Sequence, residues 1–190
     1  MCVTIKNNYL KPLRHQIKNI INHNSSVVDF GCGDGDLLFT ISKKISYGIG
    51  IDKSKKRITR ANYISKKKNI QNIQFKTLDL TTDKILLNQY DYAVASLFLH
   101  VLPRKSSIQL IEKMSSIANQ LIICAFTNPK KKIQRFLLEF DQLFTNHHGN
   151  YLNYKNKGGI ESLIQETQID FNSIIYYPSF DESITICVIS

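Results

Sequence analysis

Apolar residues fall along this chain in two rhythms that take turns. From Tyr9 to Asn22 they recur at Leu10, Leu13, Ile17, Ile20 and Ile21, the spacing of one helical face, which predicts an amphipathic helix ahead of the first strand. Val27 to Phe30 is a short apolar run, hence a buried strand, and it is followed by a helical pattern over 34–44. The alternation continues with strands over 47–52, 73–77, 91–97 and 120–126 and helices over 54–68 and 104–118. Strand and helix taking strict turns argue for a parallel sheet covered by helices on both faces through right-handed crossovers.

The last third departs from that rhythm. Ile169 to Tyr177 and Ser183 to Ile189 are β-rich, and the five residues from Pro178 to Glu182 between them leave room only for an antiparallel hairpin. Thr127 to Thr167, ahead of the hairpin, reads as a helix to about Phe144, a polar stretch from Asn146 to Gly159, and a helix from Ile160.

Candidate chemistry concentrates where the first strand ends, in Asp29-Phe30-Gly31-Cys32-Gly33-Asp34-Gly35-Asp36. Three alternate glycines permit a tight left-handed turn and a close approach of backbone N–H groups to a ligand. A dinucleotide loop would carry its third glycine three places after the second, whereas here Gly33 is followed by Gly35 and position 36 is aspartate. Carboxylates at 29, 34 and 36 repel a diphosphate and attract a cation. About twenty residues on, the second strand ends in Asp52, a position suited to accepting both hydrogen bonds of a ribose diol; helix capping is the alternative role.

With Asp29, Gly31, Gly33 and Gly35 in place, the segment resembles motif I, [D/E]-x-G-x-G-x-G, of the class I S-adenosylmethionine-dependent methyltransferases. The resemblance implies a Rossmann-like α/β fold with a seven-stranded sheet of order 3-2-1-4-5-7-6, the last two strands forming the hairpin. It also implies S-adenosylmethionine as cofactor, held by Asp29, Gly31, Cys32, Gly33, Gly35, Asp52, Lys53, Asp79, Leu80 and Ser96. Asp79, at the end of the third strand, would reach the adenine amine, with Leu78 or Leu80 against the ring. Ser96-Leu97-Phe98-Leu99-His100-Val101-Leu102 is similar to the S-x-x-L-H-x-L segment of members acting on small molecules, with Val101 where a second histidine often stands. His100 is therefore the candidate catalytic residue and, with His148, Tyr151 and Tyr154, a candidate acceptor contact. The helix before the first strand (residues 1–24) and residues 127–159 are expected to cap the site, with Tyr9, Arg14 or His15 of that helix facing the ligand and none of the three singled out by spacing. Neither an N-P-P-Y or D-P-P-Y sequence nor a Pro-Cys pair follows the fourth strand, which sets aside adenine-N6, glutamine-amide and cytosine-C5 acceptors.

Length and composition change this picture little. The 190 residues, 43% hydrophobic and 21% charged, suit one folded domain. No run of about 18 apolar residues or secretory leader is visible, so a cytoplasmic location is expected. Cys2, Cys32, Cys124 and Cys187 are too scattered for a zinc site or a disulfide framework, and adjacent His147 and His148 lack a carboxylate at ligand spacing, so no metal is expected. Cys32 has no expected chemical role, although alkylation there would obstruct the loop. A net charge of +10, with the runs Lys66 to Lys68 and Lys130 to Lys132, leaves an RNA acceptor as the alternative to a small molecule, and a cofactor-binding scaffold as a third reading.

Overall fold

The computed structural model of the chain describes residues 9–83, 88–127 and 147–190. The expected helix up to Phe144, the run Lys130 to Lys132 and the first eight residues lie outside the described residues.

Seven strands form one sheet of order β3-β2-β1-β4-β5-β7-β6. They are β1 (Ser26–Phe30), β2 (Tyr47–Asp52), β3 (Ile73–Thr77), β4 (Tyr90–Ser96), β5 (Ala118–Phe126), β6 (Ile174–Pro178) and β7 (Ile184–Ile189). The first five pair in parallel, and β7 lies antiparallel between β5 and β6, with Ile123 opposite Cys187 and Tyr176 opposite Cys187 on its other side. This is the expected order, hairpin included. The central strands β1, β4 and β5 are apolar on both sides because both sheet faces are covered.

One face carries α1 (Lys11–Ile20), α2 (Asp36–Ile41) and α3 (Lys55–Lys67). Leu13, Ile17, Leu37, Leu38, Ile41, Ile58 and Ala61 from these helices bury against Val27, Val94 and Ile122 of the sheet. The other face carries α4 (Arg104–Ile117), α5 (His148–Asn156) and α6 (Gly159–Gln165), whose Ile111, Met114, Tyr154, Ile160 and Leu163 pack on Val28, Ala93 and Ile123. Arg104, at the start of α4, holds α6 through Glu166 at 2.6 Å. Gln16 of α1 accepts the Phe180 N–H at 3.1 Å, and Tyr9 bonds Asp181, so the first helix is tied to the hairpin turn. Among the described residues no helix is long and apolar enough to cross a membrane.

Three expectations need correction. The polar stretch from 146 to 159 contains a helix, α5, because Tyr151 and Tyr154 supply a buried aromatic face that compensates for the weak helix formers Gly149, Asn150 and Asn153. Residues 169–173 precede β6 rather than belonging to it. A short 3₁₀ helix, Leu99–Val101, follows β4 where no element was expected.

Candidate cofactor and acceptor site

In this fold the strand order reverses between β1 and β4, and ligands settle outside the carboxyl ends of the strands at that point. A cavity of about 460 Å³ lies there. Its floor is the glycine loop. Gly31, Gly33 and Gly35 have φ of +73°, +57° and +82°, a region other residues avoid. At Gly31 a Cβ would stand 2.3 Å from the Phe98 ring, so glycine is required there twice over.

The loop is held down from β2. The N–H groups of Gly31 and Cys32 donate to the Ile51 carbonyl at 2.8 and 3.0 Å. Asp52 Oδ2 accepts the Gly33 N–H at 3.0 Å, and its Oδ1 accepts the Ser54 N–H at 2.8 Å. The helix cap itself is Ser54, whose hydroxyl accepts the Arg57 N–H, so Asp52 is not the capping residue of α3. Its carboxylate instead links the loop to the start of α3 and borders the cavity.

Nine of the ten expected cofactor residues, Asp29, Gly31, Cys32, Gly33, Asp52, Lys53, Asp79, Leu80 and Ser96, line this one cavity. Gly35 lies behind them, where a Cβ would meet Phe75 at 2.5 Å, and shapes the start of α2. Asp79 Oδ1 accepts bonds from the Thr81 N–H and hydroxyl, which hold its carboxyl below the usual range. The Cys32 thiol is pushed up, first by burial and then by the neighbouring Asp29 and Asp52 carboxyls, so it stays a thiol.

Asp29 departs from the sequence expectation in charge. Only 3% exposed, it is pushed up to about 8, first by burial and then by the Asp52 charge, so it is protonated at neutral pH in the ligand-free protein. Two effects follow from the raised value. Between about 3.8 and 8 the unfolded chain ionises Asp29 while the native one does not, so stability falls as pH rises through that window, by about 1.4 kcal/mol per pH unit at most. Asp29→Asn should therefore raise the melting temperature at pH 7.5 and leave it unchanged at pH 3.5, as scanning calorimetry would show. A cationic ligand placed over Asp29 should also drive its proton off, so affinity for S-adenosylhomocysteine should rise with pH up to about 8 and then level. Titrations in buffers of different ionisation heat would detect the released proton, and Asp29→Asn should abolish it.

The opposite wall begins at Leu97, a non-glycine residue at φ +51°. Its N–H donates to the Cys124 carbonyl at 2.8 Å, which fixes the strained turn that lays Phe98 over Gly31. Val101 and Leu102 of the next turn border the cavity, and Asn150 Nδ2 donates to the Val101 carbonyl at 2.8 Å, docking α5 on this turn. That contact brings His147, just ahead of α5, to the cavity wall.

His100 lies behind the wall. It is 5% exposed, with ring centroids 4.8 Å from Phe126, 5.7 Å from His147, 6.0 Å from Tyr151 and 6.3 Å from Tyr154. Burial, helped by His147, lowers it to about 3, so it is neutral at physiological pH. Below about 6.5 the unfolded chain takes up a proton that native His100 refuses, and stability is lost as pH falls from 6.5 toward 3. His100→Phe, which keeps the aromatic contacts, should flatten that acid limb in melting curves recorded from pH 7 to 4.

Tyr151, 2% exposed, and Tyr154, whose hydroxyl donates to the Phe126 carbonyl at 3.0 Å, line a separate hollow of about 160 Å³ with Lys155 and Glu161. His148 Nδ1 is buried without a hydrogen-bond partner. Of the four expected acceptor contacts, His100, His148, Tyr151 and Tyr154, none lines the larger cavity; His147 does. The cavity also takes in Leu13 and Arg14 of α1, Leu10 at its cap, and Arg57 of α3; of the first helix's candidates for facing the ligand, Tyr9, Arg14 and His15, it is Arg14 that borders the cavity. The Arg14 guanidinium is lowered by burial, an effect Asp36 opposes.

The fold, and the place of this cavity in it, are those of the class I S-adenosylmethionine-dependent methyltransferases. The family model for a methyltransferase domain matches residues 21–168, and the chain belongs to that family. Protein 235L of Invertebrate iridescent virus 6, which bears a methyltransferase's name, is 30% identical over 157 residues, covering 74% of this chain and 57% of the viral protein. The chain thus spans a little over half the length of that relative. Among solved structures, a protein from Pyrococcus horikoshii aligns with TM-score 0.70 and 13% identity over 97% of this chain and 90% of its own. The magnesium protoporphyrin IX methyltransferase of Synechocystis, solved with bound S-adenosylhomocysteine, aligns with TM-score 0.63 and 18% identity over 97% of this chain and 81% of its own.

The residues present fit S-adenosylmethionine. Asp52 retains acceptor capacity toward the cavity beyond its two backbone bonds, and Leu78 and Leu80 offer apolar contact beside the Asp79 carboxylate. Asp29 is a buried carboxyl whose electrostatic influence comes from a like charge, Asp52, and a ligand ammonium or sulfonium would relieve it.

Proposed function

We propose that this chain transfers the methyl group of S-adenosylmethionine to an oxygen or nitrogen of a small acceptor seated against Phe98, Val101, Leu102 and His147. The observation that carries the proposal is the division of one cavity into an end rich in carboxyl groups, with Asp29, Asp52 and Asp79, and an apolar end that carries the His147 imidazole. About 460 Å³ lies within the range of cavities that enclose a small ligand. Two proteins of the same fold, the magnesium protoporphyrin IX methyltransferase and the mitomycin 7-O-methyltransferase, are named for small acceptors, which supports this reading.

When bound, the cofactor supplies an electrophilic methyl group on a sulfonium. The chain's task is to hold the acceptor atom in line with that group and keep water out, a contribution of roughly 7–11 kcal/mol in well-oriented reactions. Asp52 and the glycine loop fix the donor end. Phe98, held by the Leu97 turn, Leu13 of α1 and Leu10 at its cap exclude water. His147 accepts the proton that the acceptor O–H or N–H loses, and neutral His100, packed by Phe126, Tyr151 and Tyr154, backs its ring. In this reading Tyr151 and Tyr154 act on the acceptor through His100 rather than by touching it.

Incubating the protein with a methyl-labelled donor and a fractionated extract tests the assignment. Label is expected in the small-molecule fraction; label confined to RNA or to protein overturns the acceptor class, and none in any fraction of an extract from a native host overturns the activity.

A further inference from the structure

The chain's excess charge is confined to one flank. Residues 36–78 hold eleven Lys and Arg against Asp36 and Asp52, while the rest of the chain holds fourteen Lys and Arg against thirteen Asp and Glu. That segment builds α2, β2, α3 and the edge strand β3, so the excess lies at one edge of the sheet. On α3 the exposed residues Lys56, Arg60, Tyr63 and Lys67 follow one another at helical spacing along a single face about 16 Å long. Tyr63 is 65% exposed. At the foot of α3, between the carboxyl ends of α1, α2 and α3, lies an open groove of about 630 Å³ bordered by Lys18, Lys43 and Lys68.

Local stability does not account for this arrangement. Lysines at helix carboxyl ends complement the helix dipole, and Lys44 does so by donating to the Lys18 carbonyl at 2.7 Å. Lys55, Lys56 and Arg57, however, occupy the first turn of α3, where the dipole disfavours cations, and α3 contains no acidic residue to pair with them. An external anion would offset that cost. Apart from Tyr63 the face carries no large exposed apolar residue, which disfavours insertion into a lipid surface.

We propose that the outer face of α3, with the groove at its foot, docks a single-stranded nucleic acid. Lys56, Arg60, Lys67 and Lys68 meet successive phosphates as the strand runs toward the groove, and Tyr63 stacks on an unpaired base between them. The face adjoins the cofactor end of the cavity and not the wall formed by His147, so docking tethers the protein without presenting the strand as acceptor. The inference is independent of which acceptor is methylated.

Anisotropy of a fluorescent twelve-nucleotide oligouridylate, titrated with the full chain between 50 and 200 mM salt, tests it. Four phosphate contacts predict a slope of about −3 in log affinity against log salt. The triple variant Lys56→Gln, Arg60→Gln, Lys67→Gln should bind at least tenfold more weakly at 50 mM salt, with the slope falling to about −1. Tyr63→Ala should weaken binding roughly fivefold or more with the slope unchanged. Melting temperature, read on every variant, separates lost docking from lost folding, and S-adenosylhomocysteine affinity, measured alongside, reports failure of the methyltransferase reading separately. Wild-type oligonucleotide affinity in the triple variant overturns the proposal. So does tighter binding of a duplex of equal length, or sedimentation with phosphatidylserine vesicles that the triple substitution abolishes while oligonucleotide binding persists.

Discussion

Asp52→Ala should leave the chain folded and its affinity for S-adenosylhomocysteine lower by orders of magnitude. The Asp52 carboxylate holds the loop through the Gly33 N–H and the start of α3 through the Ser54 N–H, and it faces the cavity where a ribose diol would sit. Hydrogen bonds to a charged group contribute about 1.5–3 kcal/mol each. Losing two diol bonds, and slackening a loop whose other anchors are two bonds to the Ile51 carbonyl, should weaken binding by roughly 10²- to 10⁴-fold. Asp52→Asn keeps one acceptor oxygen and should fall between. Calorimetric titration with S-adenosylhomocysteine, next to a thermal melt, separates ligand loss from unfolding. Wild-type affinity in Asp52→Ala would mean that the ribose is held elsewhere and that the cavity assignment is mistaken.

What could be read before the structure depended on whether the information was local. The glycine loop and Asp52 announce themselves because strand–loop–helix spacing is a local constraint, and the hairpin because five residues allow no crossover. Arg57 carries no such signal; it is one cation among 25 Lys and Arg, and helix packing brings it to the cavity, just as packing and not spacing selects Arg14 from Tyr9, Arg14 and His15. Asp29 shows a different limit. A carboxylate in a motif is counted as a charge, yet its ionisation depends on burial, and burial at the centre of a covered sheet turns this group into a neutral acid at pH 7. Phe98 entered the sequence reading only as a member of the segment from Ser96 to Leu102, whereas the left-handed turn at Leu97 makes its ring a wall over Gly31.

The same distinction explains the histidines. His100 belongs to a recognisable segment, and the valine at 101 leaves that segment one histidine short. His147, remote in sequence, lies on the same cavity wall as Val101, because Asn150 docks α5 on the Val101 carbonyl. The clue available in the sequence was the pair His147-His148 in a stretch rich in tyrosine, but its helical face is aromatic and polar, a pattern that hydrophobic periodicity undervalues.

His147→Ala should lower kcat by about 10²- to 10⁴-fold while S-adenosylhomocysteine affinity stays within twofold of wild type, the signature of a lost general base. His100→Ala should behave differently. Its ring fills space between Phe126, Tyr151 and Tyr154, so truncation leaves a cavity at a stability cost of roughly 2–4 kcal/mol and lets the neighbouring His147 ring shift. His100→Phe, which restores the packing but cannot carry a proton, should recover most of the turnover. The pH dependence of kcat adds an independent readout, since loss of the acid limb should accompany His147→Ala and not His100→Phe. If His100→Phe were inactive and His147→Ala retained wild-type kcat, the proton would pass through the buried ring, and the segment ending in His100 would hold the base after all.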